Sequence, residues 1–166
     1  MSKTVRHTTR RRERGNAFLE AAFIFVPLLA ILLAICDFGF AIFLRANMQN
    51  AVREGVRYAV TYQTMPGMCQ DASIKQVVQD SAAGFLGGSA NLSRIKVRFY
   101  PPTNLNTEVT GINSNIPGNV VEVGVEGYSF SWMAPLLRSP ASPFIINVYA
   151  ADRMEGLPGG VSPPCR

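Results

Sequence analysis

The stretch RRRERGNAFLEAAFIFVPLLAILLAICDFGFAIFL, Arg10–Leu44, decides how the rest of the chain is organised. Six basic residues (Lys3, Arg6, Arg10, Arg11, Arg12 and Arg14) precede Gly15, and from Ala17 to Leu44 only Glu20 and Asp37 carry charge. Crossing a bilayer takes roughly 20 apolar residues, so this run is long enough to span one. Basic flanks stay on the cytoplasmic side, which sends everything beyond Leu44 out of the cytoplasm.

Gly15 marks the seam between the basic and apolar parts, and Glu20 is the fifth residue beyond it. A lone carboxylate near the end of a lipid-facing helix costs free energy and is by default a functional-site candidate. The arrangement resembles the cleavage region of type IV prepilins, in which a basic leader ends in Gly and Glu is the fifth residue of the mature chain. That resemblance implies a prepilin peptidase cutting between Gly15 and Asn16, with Arg10, Arg11, Arg12 and Arg14 in the discarded leader. The new α-ammonium at Asn16 would lie about 6 Å along a helix axis from Glu20. In an apolar medium the two charges gain by meeting, within one subunit or between two packed side by side. In pilins such a pair is thought to set the axial register of a new subunit, which makes Glu20 an assembly carboxylate. The plainer alternative is that Asn16 caps the helix while Glu20 sits at headgroup level beside the positive helix end.

A net charge of +5 would ordinarily invite a nucleic-acid reading. Six of the 16 basic and one of the 11 acidic residues precede Asn16, however, so the remainder balances to zero. Basicity belongs to the leader and its topological role, and no basic stripe points to nucleic acid. Of the three cysteines, Cys36 lies in the apolar run, while Cys69 and Cys165 lie in the exported part. An oxidising compartment favours a Cys69–Cys165 disulfide, which would contribute ~2–5 kcal/mol and tie down the Pro/Gly-rich tail; two free thiols are the alternative.

Beyond Leu44 the helix is expected to continue to Tyr62, because Val52, Val56, Ala59 and Val60 recur at helical spacing without a Pro. From Asn16 it would reach roughly 70 Å, far more than a bilayer needs. Pro27 inside the run either kinks the helix harmlessly or loosens it for extraction from lipid; Gly39 and Gly55 would permit close helix contact. Thr64–Gln70 reads as a turn. Asp71 is expected to cap a second helix with Ile74, Val77, Val78, Ala82, Phe85 and Leu86 on its core face, ended by Gly87 and Gly88. Alternation predicts a strand around Ile95, Val97 and Phe99, stopped by Pro101, and another over Val120–Phe130. Their outer faces, Arg94, Lys96 and Arg98 against Glu122 and Glu126, either pair across strands or stay separately solvated. Between them runs a long Asn-rich loop, Thr103–Asn119, of the kind that is often a binding element or mobile. FSWMAPLLRSPASP (130–143) suggests an irregular apolar turn or short helix around Trp132 and Leu136, before a last strand, FIINVYAADRM (Phe144–Met154), with Ile146, Val148 and Ala150 on one face.

GNAFLEAAFIFVPLLAILLAICDFG (Gly15–Gly39) resembles the TadE-like family of tight-adherence (Tad) pilus proteins, in which Gly, Ala, Glu, Pro-Leu-Leu and an acidic-x-Gly recur through the membrane segment. AVREGVRYAV (Ala51–Val60), GVEGYSFSWMAPLL (Gly124–Leu137) and VYAADRME (Val148–Glu155) are similar to that family's later landmarks. The elements read above make the expected fold class α+β: a long, pilin-like, membrane-spanning helix with a second helix and a small three-stranded antiparallel sheet on its outer half. The implied divisions are a leader over 1–15, a transmembrane segment over 16–44, an extracytoplasmic domain over 45–155 that includes the helix extension 45–62, and a tail over 156–166. The implied function is that of a minor pilin or pseudopilin that primes, caps or helps assemble an adhesive pilus from the inner membrane. Its implied partners are the membrane, the prepilin peptidase, the major pilin, another TadE/TadF-type subunit and the inner-membrane assembly platform.

Catalysis finds no support in the residue types. The one His, His7, falls in the leader, which leaves the exported part without a His-based nucleophilic site; there is no zinc spacing and no Gly-rich loop to cradle a phosphate. No cofactor or metal is expected. The main rival is an unprocessed single-pass protein whose outer domain binds a ligand. A lipoprotein cut before Cys36 would place the bulky Ile35 at the cleavage site, and an anchored enzyme would have to rely on carboxylates such as Asp71, Asp80, Glu108, Glu122 and Glu126.

Overall fold

The computed structural model describes residues 9–134, 143–157, 159 and 161–166. Residues 1–8, within the expected leader, and most of the expected turn around Leu136 lie outside the described residues. The apolar run forms part of one helix, α1 (Thr9–Val60), which continues through Pro27. It ends two residues short of the expected Tyr62, because Tyr62 adopts φ 55°, a left-handed conformation that closes a helix. The Tyr62 amide donates to Ala59 O at 3.0 Å, and its hydroxyl donates to Glu155 O at 3.1 Å.

Burial divides α1 into two parts. No residue from Ala17 to Cys36 is buried, and Asp37 is the first that is. From there Ala41, Leu44, Met48, Ala51, Val52, Val56, Ala59 and Val60 form a buried stripe at three- and four-residue spacing, one face of an amphipathic helix. Within the stretch expected as a spanning segment, 16–44, the last turns contribute Asp37, Ala41 and Leu44 to the buried core.

A three-stranded sheet covers part of that stripe. β1 (Ile95–Tyr100), β2 (Val120–Phe130) and β3 (Phe144–Arg153) form an antiparallel sheet in the order β1-β2-β3. Val121, Val123, Val125, Ile146 and Val148 face α1 and are buried together with Ile95, Val97 and Phe99 on the same face of the sheet, as the period-two pattern requires. A β-bulge interrupts β2, where Glu126 and Gly127 together oppose Asn147 between the pairs Val125–Val148 and Tyr128–Ile146. Gly127 supplies the positive φ, 68°, and its amide donates to Asn147 Oδ1 at 2.7 Å. The extra residue shifts the alternation, so that Phe130 turns inward and is 7% exposed.

The second helix, α2 (Gln70–Ser81), is shorter than its apolar spacing predicts. Ala83 and Gly84 take φ 48° and 85°, which breaks the helix before Gly87 while still returning Leu86 to the core, fully buried. Nor does Asp71 cap it: Cys69 holds the N-cap position without a side-chain cap bond, and Asp71 lies in the first turn. A short helix, α3 (Ser89–Leu92), follows. α2 lies against α1 at Gly55, where a Cβ would overlap Val78 Cγ2; Gly39 has nothing within 4 Å. Only Gly55, then, serves close helix packing within this chain.

The tail is fastened beside α2. Cys69 and Cys165 form a disulfide with Cα atoms 4.9 Å apart, and the Gln70 amide donates to Cys165 O at 2.7 Å. The Arg166 guanidinium lies 4.6 Å above the Phe99 ring and meets Asp71 Oδ2 at 2.9 Å. The Asn-rich loop joins this fastening: Asn115 is fully buried and donates to Pro164 O and Gln70 Oε1, while the Val109 amide pairs with Phe99 O at 2.7 Å along the edge of β1.

The end of β2 returns to α1 through Asp37. This carboxylate, fully buried, accepts the Met133 amide on Oδ1 at 3.0 Å and the Ala134 amide on Oδ2 at 2.6 Å. Both oxygens are thereby engaged by charge-assisted bonds, the stronger class of hydrogen bond.

Two sets of substitutions test this packing by thermal unfolding in detergent micelles. Gly55→Ala is expected to destabilise, since overpacking costs about 1–3 kcal/mol and outweighs the gain of about 1 kcal/mol in helix propensity; Gly39→Ala is expected not to. Asp37→Ala leaves two amides without an acceptor and is expected to cost about 3 kcal/mol or more, with Asp37→Asn intermediate and hydrogen exchange at Met133 and Ala134 accelerated.

Candidate functional site

The residues singled out around the seam lie on the first turns of α1. Arg10, Arg11, Arg12, Arg14, Gly15 and Asn16 have helical backbone, and their side chains lie outside what the structure describes, as does any pairing of Asn16 with Glu20. Glu20 is exposed on the helix, among Phe18, Leu19, Phe23 and Ile24, which are 57–80% exposed. A charge on so apolar a surface gains most from a cationic partner brought to it.

Glu20 and Asp37 bracket the uncovered stretch, roughly 25 Å apart along the axis at 1.5 Å per residue. Their situations are opposite: Asp37 is satisfied by its own chain, whereas Glu20 faces outward. Asp37 is the residue that the sequence reading noticed and assigned no role. The available signals were that it interrupts the apolar run and that FSWMAPLL, which supplies its donors, is a landmark in its own right.

The carboxylates considered for catalysis are dispersed into structural contacts. Arg98 bridges Glu122 at 3.3 Å and Glu126 at 2.7 Å, which resolves the outer sheet face in favour of cross-strand pairing. That hydrogen bond from Arg98 holds the Glu126 carboxyl below its ordinary value, against desolvation that would raise it. Arg94 donates instead to Gly127 O, and Lys96 stands opposite Gly124. Asp71 and Glu108 flank Arg166, and Asp80 accepts from Gln76 at 2.9 Å. Among the described residues no cluster of His, Cys, Asp or Glu is arranged to hold a metal. An open groove of about 690 Å³ between α1 and β3 is lined by Gln49, Arg53, Arg57, Tyr149, Asp152 and Glu155 among others.

The first half of α1 has the character of an insertable helix. α1 contains an apolar segment long enough to cross a membrane, and none of its most apolar part is buried among the described residues. No curated protein and no solved structure matches the chain. Residues 15–57, from the seam at Gly15 through most of the core stripe, match the model of the TadE-like protein family, the pilus-component family that the landmarks of this helix resemble.

Proposed function

We propose that the chain is a minor pilin or pseudopilin of a Tad-type pilus, made as a precursor and cut by a prepilin peptidase between Gly15 and Asn16. The observation that carries this reading is the juxtaposition on α1 of Gly15, an outward Glu20 and an uncovered apolar segment that runs directly into the core of a folded domain, within the stretch that matches the TadE-like family. The basic leader holds the N-terminus in the cytoplasm and the domain folds in the periplasm. The Cys69–Cys165 disulfide supports that compartment, since such bonds persist where the surroundings oxidise.

Glu20 then acts as an assembly carboxylate. Cleavage supplies the Asn16 α-ammonium as its partner, in lipid where an unpaired charge is costly, and the pair sets the height at which the subunit joins its neighbours. The partners in this process are the peptidase, the major pilin, a second TadE/TadF-type subunit and the inner-membrane assembly platform. The protein primes, caps or helps build the pilus and has no enzymatic role.

The test is N-terminal sequencing and intact mass of the membrane-extracted protein from cells with and without the peptidase. The expected chain starts at Asn16 only when the peptidase is present, and without reductant it is two hydrogens lighter than the fully reduced form. A chain that keeps its leader in both strains overturns the proposal and leaves an anchored binding domain as the account. Glu20→Ala is expected to be cleaved as the wild type is, yet to lose most pilus assembly, read as shed or sedimented pilin.

A further inference from the structure

Where α1 leaves the domain, a cluster of aromatic rings packs beside it. Trp132 lies with its ring centroid 5.2 Å from that of Phe38 and 5.3 Å from that of Phe144. Beside these rings Met133 and Ile145 are 63% and 53% exposed, and Phe38 is 53% exposed. Arg45, also exposed, shares a surface depression with Phe144 and Ile145. A contiguous apolar surface of this kind marks an interaction site, and its position identifies the occupant.

The uncovered helix runs from Ala17 to Cys36, ending one residue before the first buried one. At 1.5 Å per residue that stretch spans roughly 30 Å, the thickness of a bilayer's hydrocarbon layer. A helix that crosses the membrane therefore brings the aromatic cluster to the outward headgroup layer. Trp and other amphipathic rings favour that depth, and Arg is suited to lipid phosphates. The one carboxylate at this level, Asp37, is already satisfied by the Met133 and Ala134 amides, so it presents no unpaired charge to the lipid.

We infer that the base of the domain rests in the interfacial layer of the outward leaflet, with Trp132, Phe38, Phe144, Met133 and Ile145 among the headgroups and Arg45 against lipid phosphates. The inference rests on the reading of α1 as a membrane span. Before assembly the domain is thus seated on the membrane, with its long axis fixed relative to the bilayer, and joining a pilus requires it to leave that seat.

Trp132 is the only tryptophan in the chain and reports its own depth. The full chain is reconstituted into vesicles of phosphatidylcholine and phosphatidylglycerol whose acyl chains carry bromine either close to the headgroup or near the chain end. Bromines close to the headgroup are expected to quench Trp132 roughly twofold or more, with chain-end bromines and aqueous acrylamide much weaker, as an interfacial ring requires. The double substitution Met133→Gln and Ile145→Gln, at exposed positions, is expected to reduce the bromolipid quenching while leaving thermal unfolding in detergent unchanged. Alkaline carbonate separates the two levels of the argument. A chain released by carbonate overturns the membrane span and this inference with it; a chain that stays inserted while Trp132 is quenched by acrylamide and not by bromolipid overturns this inference alone.

Discussion

The outer domain depends on how one buried carboxylate is satisfied. Asp37 sits at the level where α1 passes from an uncovered apolar helix into a covered one, and a charge buried without partners there would cost several kcal/mol. Helix geometry gives it no backbone donor of its own, since mid-helix amides already bond within the helix. Its two donors come from residues 96 and 97 positions away in sequence, so the chain leaving β2 is brought back to this height. That return places the end of β2 and the start of β3 at the base of the domain, with the sheet running up the helix from there. Hydrophobic burial along Ala41–Val60 supplies most of the driving force, and the close fit of Val78 at Gly55 sets the register further up the helix. The two directional bonds at Asp37 fix the height.

Much of this architecture could be read from residue pattern because the pattern and the physics coincide. Valines alternating with Glu and Gly over Val120–Phe130 describe a strand half covered by α1, and the bounds of β2 agree with that reading. The limits of α2 were harder to see. Ala82, Phe85 and Leu86 keep helical spacing, and periodicity alone does not distinguish a continuing helix from a turn that returns the same side chains to the core. The turn depends on Ala83 adopting a left-handed backbone, which its residue type does not announce. The phase change in β2 did leave a mark, Gly127, but a lone Gly also suits an ordinary strand. As for the candidate site, the spacing of Gly15 and Glu20 is visible in one dimension because cleavage and helix rise are both local. The role of Asp37 is not, because its partners are backbone amides, which every residue but proline carries.

The same helix serves two demands that pull its composition apart. Its first half must be apolar on every side, for lipid or for neighbouring subunits, whereas its second half needs only a stripe. Gly55 shows how narrowly the second demand is met: α2 approaches so closely that Val78 occupies the space of a Cβ. Over Ala17–Cys36 no residue is buried among the described residues. That length is free to be covered by other molecules, and it carries the one outward carboxylate, Glu20.

The disulfide has a mechanical meaning beyond stability. Joining Cys69 to Cys165 makes a covalent ring of α2, α3, the whole sheet and the tail, and leaves α1 outside it, attached through a single strand of chain at residues 61–68. Traction between the membrane and the sheet is therefore carried, across most of the interface, by shear of side chains along α1 rather than by bonded backbone. The weak plane under load lies between the rod and the ring that clasps it, and the ring survives if the rod slips.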